Sequence, residues 1–191
     1  MPNSSRQQTI WLPTGNPDTT SITPADFSAL GGQPGQLGME FDYNNRKYQR
    51  VQLDSGVTAA TPIGVAAANQ LAYWKAKAGG PGAGYIVTNN RQQALGFPGG
   101  NDGYRNQVAG IIRFAALGGN YIDVLKSGDS IPVASDGNGA DGGVAVAEAG
   151  ANARVTAVTA GTAPTCITVG VIRGAAVANV INVDVDIPDT P

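Results

Sequence analysis

The side chains with the widest chemical repertoire in this chain are its aspartates. Asp123, Asp129, Asp184 and Asp186 could work as acid and base pairs, one carboxyl donating a proton while its neighbour accepts one. Their setting argues against that role, because most of them fall in turns or on the wet side of an alternating strand. They are expected to be solvated surface. The run Asp136-Gly-Asn138-Gly-Ala140-Asp141-Gly142 has the flavour of a calcium loop, but its fifth position is Ala140 and its twelfth is Ala147, with Glu148 one step late. It is expected to be a mobile surface loop. The cluster Gly79-Gly-Pro-Gly-Ala-Gly84 lacks the Gly-Lys-Ser/Thr ending that would hold a nucleotide phosphate and reads as a hairpin tip.

The chain has no histidine, which removes Ser-His-Asp and Cys-His triads and the commonest metal imidazole together. Its single cysteine, Cys166, can form neither an intrachain disulfide nor a thiolate zinc site, and is expected to pack as a small hydrophobe in a strand. These observations predict no enzyme, no cofactor and no metal. Nucleic acid is not an expected partner either, because twelve Lys and Arg are scattered among fourteen acids and leave no basic stripe.

The elements that must carry these residues centre on a duplication. Gly110-Ile-Ile-Arg113-Phe-Ala-Ala-Leu117 returns as Gly170-Val-Ile-Arg173-Gly-Ala-Ala-Val177, and Asn120-Tyr-Ile-Asp-Val124 returns as Asn179-Val-Ile-Asn-Val183 after a turn shortened by one residue. Each copy reads as strand, turn, strand. A unit this short cannot bury its own apolar face, so the copies are expected to pack together within residues 106 to 187. The fold class is therefore mainly β, a compact barrel or sandwich body with a duplicated hairpin. Other strands are expected around Phe41 to Leu53, with Asn44-Asn45 as the hairpin turn, at Leu71 to Lys75, at Tyr85 to Thr88, at Val144 to Val146 and at Ala153 to Val158. In Asn182-Val-Asp-Val-Asp-Ile187 the valines and Ile187 should face the core and Asp184 and Asp186 the water. Ser127-Gly-Asp-Ser130 reads as a turn leading into Ile131 to Ala134.

Residues 1–35 read differently, as an extended N-terminal arm ahead of a body at 36–191 that divides, if anywhere, near 105. Prolines at 2, 13 and 17 keep the arm extended, and Thr23-Pro24-Ala25-Asp26 supplies an N-cap, a first-turn proline and a first-turn acid for one or two helical turns. Gly31-Gly-Gln-Pro-Gly35 then acts as a hinge. Ile10, Trp11 and Leu12 form the arm's apolar anchor, supplemented by Phe27 and Leu30, and such a cluster needs a pocket supplied by a partner. Trp74 is expected at the edge of the body's core.

Only 14% of residues are charged and 42% are hydrophobic, at a net charge of −2. A surface coated with small neutral side chains suits packing against further protein copies. The polar start, Met-Pro-Asn-Ser-Ser-Arg-Gln-Gln, predicts synthesis in a cytoplasm, and no apolar run is long enough for a transmembrane helix.

Tyr48-Gln-Arg-Val-Gln-Leu-Asp-Ser55, Ala67-Ala-Asn-Gln-Leu-Ala-Tyr-Trp-Lys75, Tyr85-Ile-Val-Thr-Asn89 and Val108-Ala-Gly-Ile-Ile112 resemble stretches of tailed-bacteriophage virion proteins over roughly residues 40 to 130. The later Ala/Gly/Thr-rich strands are similar in style to head decoration, or cement, proteins. This resemblance implies a protein made in the host cytoplasm that sits on the outer capsid surface, contacts the major capsid protein, forms homotrimers and reinforces the head. The Ile10, Trp11, Leu12, Phe27 and Leu30 set would then be the capsid contact. The alternative from another class is a virion-surface module for host attachment.

Overall fold

The computed structural model describes residues 16–29, 37–55, 68–75, 85–91, 108–148, 153–158 and 168–187. These are mainly β. One short helix, α1 (Pro24–Ala29), precedes β1 (Glu40–Tyr43), β2 (Arg46–Leu53), β3 (Gln70–Trp74), β4 (Ile86–Thr88), β5 (Val108–Ile112), β6 (Tyr121–Ala134), β7 (Val144–Ala147), β8 (Val155–Val158), β9 (Thr168–Ile172) and β10 (Val180–Asp186). Thr23 caps the helix as its sequence demands: its Oγ1 accepts the Asp26 N–H at 3.1 Å and donates to Asp26 Oδ2 at 2.6 Å.

The strands form one sheet in the order β1-β2-β4-β3-β5-β6-β10-β9-β7-β8, with a further β2–β6 pairing. That extra pairing closes a circuit, since β2 bonds β4 in parallel and β6 antiparallel, while β4, β3, β5 and β6 follow one another antiparallel. The second half hangs on the far part of β6, and β8, at the outer end of the strand order, returns to the end of β6 through a parallel bridge between Ser135 and Val155. Strands from before and after residue 105 therefore join in one sheet, through the β3–β5 and β2–β6 pairings.

β6 is the axis of this arrangement. It spans 14 residues, its first part paired to β2 and its second to β10. Ser127-Gly-Asp-Ser130 was expected to be a turn but lies inside β6 as a bulge. Its register to β10 shifts between Val183 and Val185, Ser130 takes φ 50°, and the Ser130 N–H is held by Asp184 Oδ1 at 2.9 Å. A bulge and a turn use the same small polar residues, and here pairing partners on both sides carry the chain onward.

Elsewhere local signals and structure agree. Asn44 and Asn45 both take positive φ, 48° and 62°, as a two-residue hairpin between right-twisted strands requires. β10 alternates in burial, with Ile181, Val183 and Val185 inside. Two apolar clusters result. β3 sends Leu71 and Tyr73 to one and Ala72 and Trp74 to the other, and Ile111 and Ile112 of β5 divide the same way. Strands covered on both faces explain why these segments read as continuous apolar runs, each large side chain contributing about 1.5–3 kcal/mol on burial. Trp74 belongs to the smaller cluster and meets the Tyr85 ring edge to face.

The duplication is real in three dimensions. Ile111 pairs with Leu125 in the first copy, and the equivalent Val171 pairs with Asp184 in the second. Gly110 and Gly170 also play one role. A Cβ at either would collide with the main-chain carbonyl oxygen across the ladder, that of Leu125 in one copy and of Asp184 in the other.

Candidate interaction surface

Part of the N-terminal segment is tied to the sheet. Asp18 accepts hydrogen bonds from Arg46 Nη1 at 2.6 Å, from Tyr48 Oη at 2.8 Å and from Arg113 Nε at 3.4 Å. Arg113 is fixed in turn by Asn69 Oδ1 at 2.6 Å and the Pro132 carbonyl at 3.1 Å. Burial, and then the bond to Asp18, push the Tyr48 phenol up to about 12, so the hydroxyl stays a donor. Four residues on, Ile22 adds to the sheet. Its N–H reaches the Tyr121 carbonyl at 3.0 Å, the Tyr121 N–H reaches the Ile22 carbonyl at 2.8 Å, and Asn120 Nδ2 donates to Ser21 Oγ at 3.2 Å. Residues 16–23, read from sequence as part of an arm awaiting a partner, thus occupy a socket on their own body. Charge and main-chain pairing hold them there.

The socket exists because the two repeat turns differ by one residue. In the second copy Val177 and Val180 exchange both main-chain hydrogen bonds, at 2.8 and 3.0 Å, across Ala178 and Asn179, which take φ 50° and 60°. That turn satisfies itself. In the first copy the longer turn sends the Gly119 N–H to the Leu53 carbonyl at 2.8 Å, and Tyr121, the counterpart of Val180, is left to pair with Ile22.

The same turns present apolar tips. Leu117 is 63% exposed and its counterpart Val177 is 75% exposed, among the few large hydrophobic side chains at the described surface. Equivalent positions of a repeat have kept an apolar residue outside the core, the kind of feature that marks a contact surface.

Of the four carboxylates flagged by the sequence, Asp123 and Asp184 are engaged in ion pairs. Asp123 is not at the surface: it is 8% exposed and faces Arg50 across β2 and β6, with Arg50 Nε at 3.0 Å from Oδ1 and Nη2 at 3.2 Å from Oδ2. Desolvation pushes its carboxyl upward and outweighs the stabilising Arg50. Asp184 binds Arg173 Nε at 2.6 Å and the Ser130 N–H, which together hold it below the usual carboxylate range. Asp129 and Asp186 are exposed. The 135–143 loop lies at the surface as expected but is pinned. Desolvation of Asp136 is outweighed by bonds from Thr156 Oγ1 at 2.7 Å and from the Asn138 N–H and amide, which keep this carboxyl low, and Asp141 caps the Gly174 N–H at 3.0 Å. Residues 138–143 with Thr156, Ala157 and Val158 border an open cleft of about 660 Å³.

Among the described residues no group of three or more His, Cys, Asp or Glu side chains could hold a metal ion. No described helix is long and apolar enough to cross a membrane. Ile10, Trp11, Leu12 and Leu30 lie outside the described residues, as do Cys166, the Gly79–Gly84 cluster and the Gly31–Gly35 hinge, while Phe27 falls within α1. No protein-family model, no curated protein and no solved structure matches this chain.

Proposed function

We propose that this chain is a structural protein of a tailed-bacteriophage virion that binds the outer surface of the head as a decoration, or cement, protein and stabilises it. The observation that carries this reading is the repeated apolar tip: Leu117 and Val177 stand exposed at matching places on a charge-poor β body. The stretches that resemble phage virion proteins fall on β2, β3, β4 and β5, four of the five strands of the closed pairing circuit, so the likeness lies in the scaffold. We read that circuit as a small five-stranded barrel, with the second half as a further barrel-like unit sharing β6. A homotrimer seated on the major capsid protein is part of this proposal, with Ile10, Trp11, Leu12, Phe27 and Leu30 as added shell contacts. The test is sedimentation of the purified chain with empty heads. Saturable binding that protects heads against heat supports the reading, and absence of binding to heads both before and after expansion overturns it.

A second reading, a surface module for host attachment, is favoured by the open cleft beside Asn138–Gly143. Saturable binding to host cells, lost on filling the cleft with Ala140→Trp, would select it.

A further inference from the structure

We propose that the socket for residues 16–23 is an exchange site, filled in the assembled protein by the same segment of a second copy of this chain. The inference does not depend on the decoration reading.

The contacts in the socket are transferable. Ile22 enters as one added strand residue through two main-chain hydrogen bonds, and Asp18 brings a single carboxylate to Arg46, Tyr48 and Arg113. An identical segment from a neighbour would make the same bonds at no loss, which is the condition for exchange between protomers. An empty socket is unfavourable: Arg46 and Arg113 each form their described ion pair with Asp18, so without it two guanidinium groups converge on a buried tyrosine. Whichever copy supplies the segment, the site demands one.

The connection back to the body permits a choice of copy. Pro24, Ala25, Asp26, Ser28 and Ala29 of α1 are exposed, and the cap bonds of the helix are internal to Thr23 and Asp26. Between Ala29 and Leu37 the chain reads Leu-Gly-Gly-Gln-Pro-Gly-Gln, a length that can extend to at most about 29 Å. Because bonds in the closed and exchanged states are the same, local concentration decides between them. A short connection gives its own segment an effective concentration of order millimolar. Copies held in an assembly above that local concentration exchange their segments.

The test uses two full-length chains, both carrying Cys166→Ser and differing in a size tag. One bears Ile22→Cys and the other Tyr121→Cys, so a disulfide between them forms only if the segment of one chain seats on the body of the other. The two are unfolded, mixed and refolded together at about 1 mM, the effective concentration of a short connection, and then oxidised. The expected result is a covalent heterodimer at more than about tenfold the yield of a control pair bearing Thr168→Cys and Tyr121→Cys, and a several-fold drop when Asp18→Asn is added to the first chain. Each variant's melting temperature confirms folding, and a Ser21→Cys with Asn120→Cys pair, bridged by a bis-maleimide, replaces any that fails. A yield equal to the control, or one insensitive to Asp18→Asn, overturns the proposal.

Discussion

Arg50 and Asp123 stand directly opposite each other on β2 and β6, joined by two hydrogen bonds of 3.0 and 3.2 Å, with the Arg50 guanidinium 5.8 Å from the centre of the Phe41 ring. Both are buried, so each depends on the other for its charge to be tolerated. Arg50→Met alone should destabilise the fold by about 3–5 kcal/mol, because it strands a carboxylate that burial already disfavours. The double variant Arg50→Met/Asp123→Leu should recover most of that loss. Urea unfolding of the three proteins checks both statements; equal losses in the single and double variants would contradict them.

The Tyr48 phenol gives a pH dependence with a definite sign. Its folded value lies near 12, above the ordinary 10.0, so the folded state holds this proton more tightly than the unfolded one. The contribution is complete below pH 10 and is lost as pH rises towards 12. Melting temperature should fall across that interval, and Tyr48→Phe should flatten that part of the profile while lowering stability at neutral pH by leaving Asp18 one donor short.

Gly110→Ala and Gly170→Ala should each cost about 1–3 kcal/mol, since the new methyl group meets a strand carbonyl that cannot swing aside. Gly170 is the tighter of the two and should suffer more. By contrast Gly119→Ala meets nothing within 4 Å, and its cost should come only from the φ of +85°. Thermal unfolding of the three variants ranks them.

Removing residues 1–15 should leave the melting temperature unchanged, because the Asp18 socket stays filled. Removal through Gly35 should lower it by emptying the socket. If the decoration reading holds, the shorter truncation also weakens head binding through loss of Ile10, Trp11 and Leu12, and Leu117→Ser/Val177→Ser weakens it without touching stability. Scanning calorimetry and head sedimentation on the same preparations separate these effects.

Deleting Gly118 should make the first repeat turn resemble the second. Tyr121 would then close on its own turn, and Ile22 would lose its place. Amide hydrogen exchange at Ile22 and Tyr121 reads this directly, and unchanged protection at Ile22 would refute the account of the socket.

Much of the scaffold could be read from residues that act locally. Asn44-Asn45 announces a hairpin because asparagine tolerates positive φ, Thr23 to Asp26 announces a helix start, and the valines of β10 announce a half-buried strand. What escaped reading depends on partners distant in sequence. Asp123 sits in an alternating stretch like any surface aspartate, and only Arg50, 73 positions earlier, makes it an interior residue. Ser127 to Ser130 has turn composition, and only β2 and β10 on its flanks keep the strand going. Asp18 carried no local signal at all. The one clue to its socket was the one-residue difference between the repeat turns, visible in the sequence but mute until the hydrogen bonds of Tyr121 and Val180 are compared.

The shared strand has a mechanical consequence. At about 3.3 Å per residue, a strand as long as β6 is a tie of roughly 46 Å along its contour, gripped by β2 over one part and by β10 over the other. A pull that separates the two halves along this direction loads those ladders in shear, so that many hydrogen bonds must yield together and none can be peeled in turn. The bulge at Gly128 to Ser130, clasped by Asp184, lies just past Ser127, the last residue held by β2, and inside the stretch held by β10. It is the place where such a load would pass from one half of the molecule to the other, and where the strand would first begin to straighten.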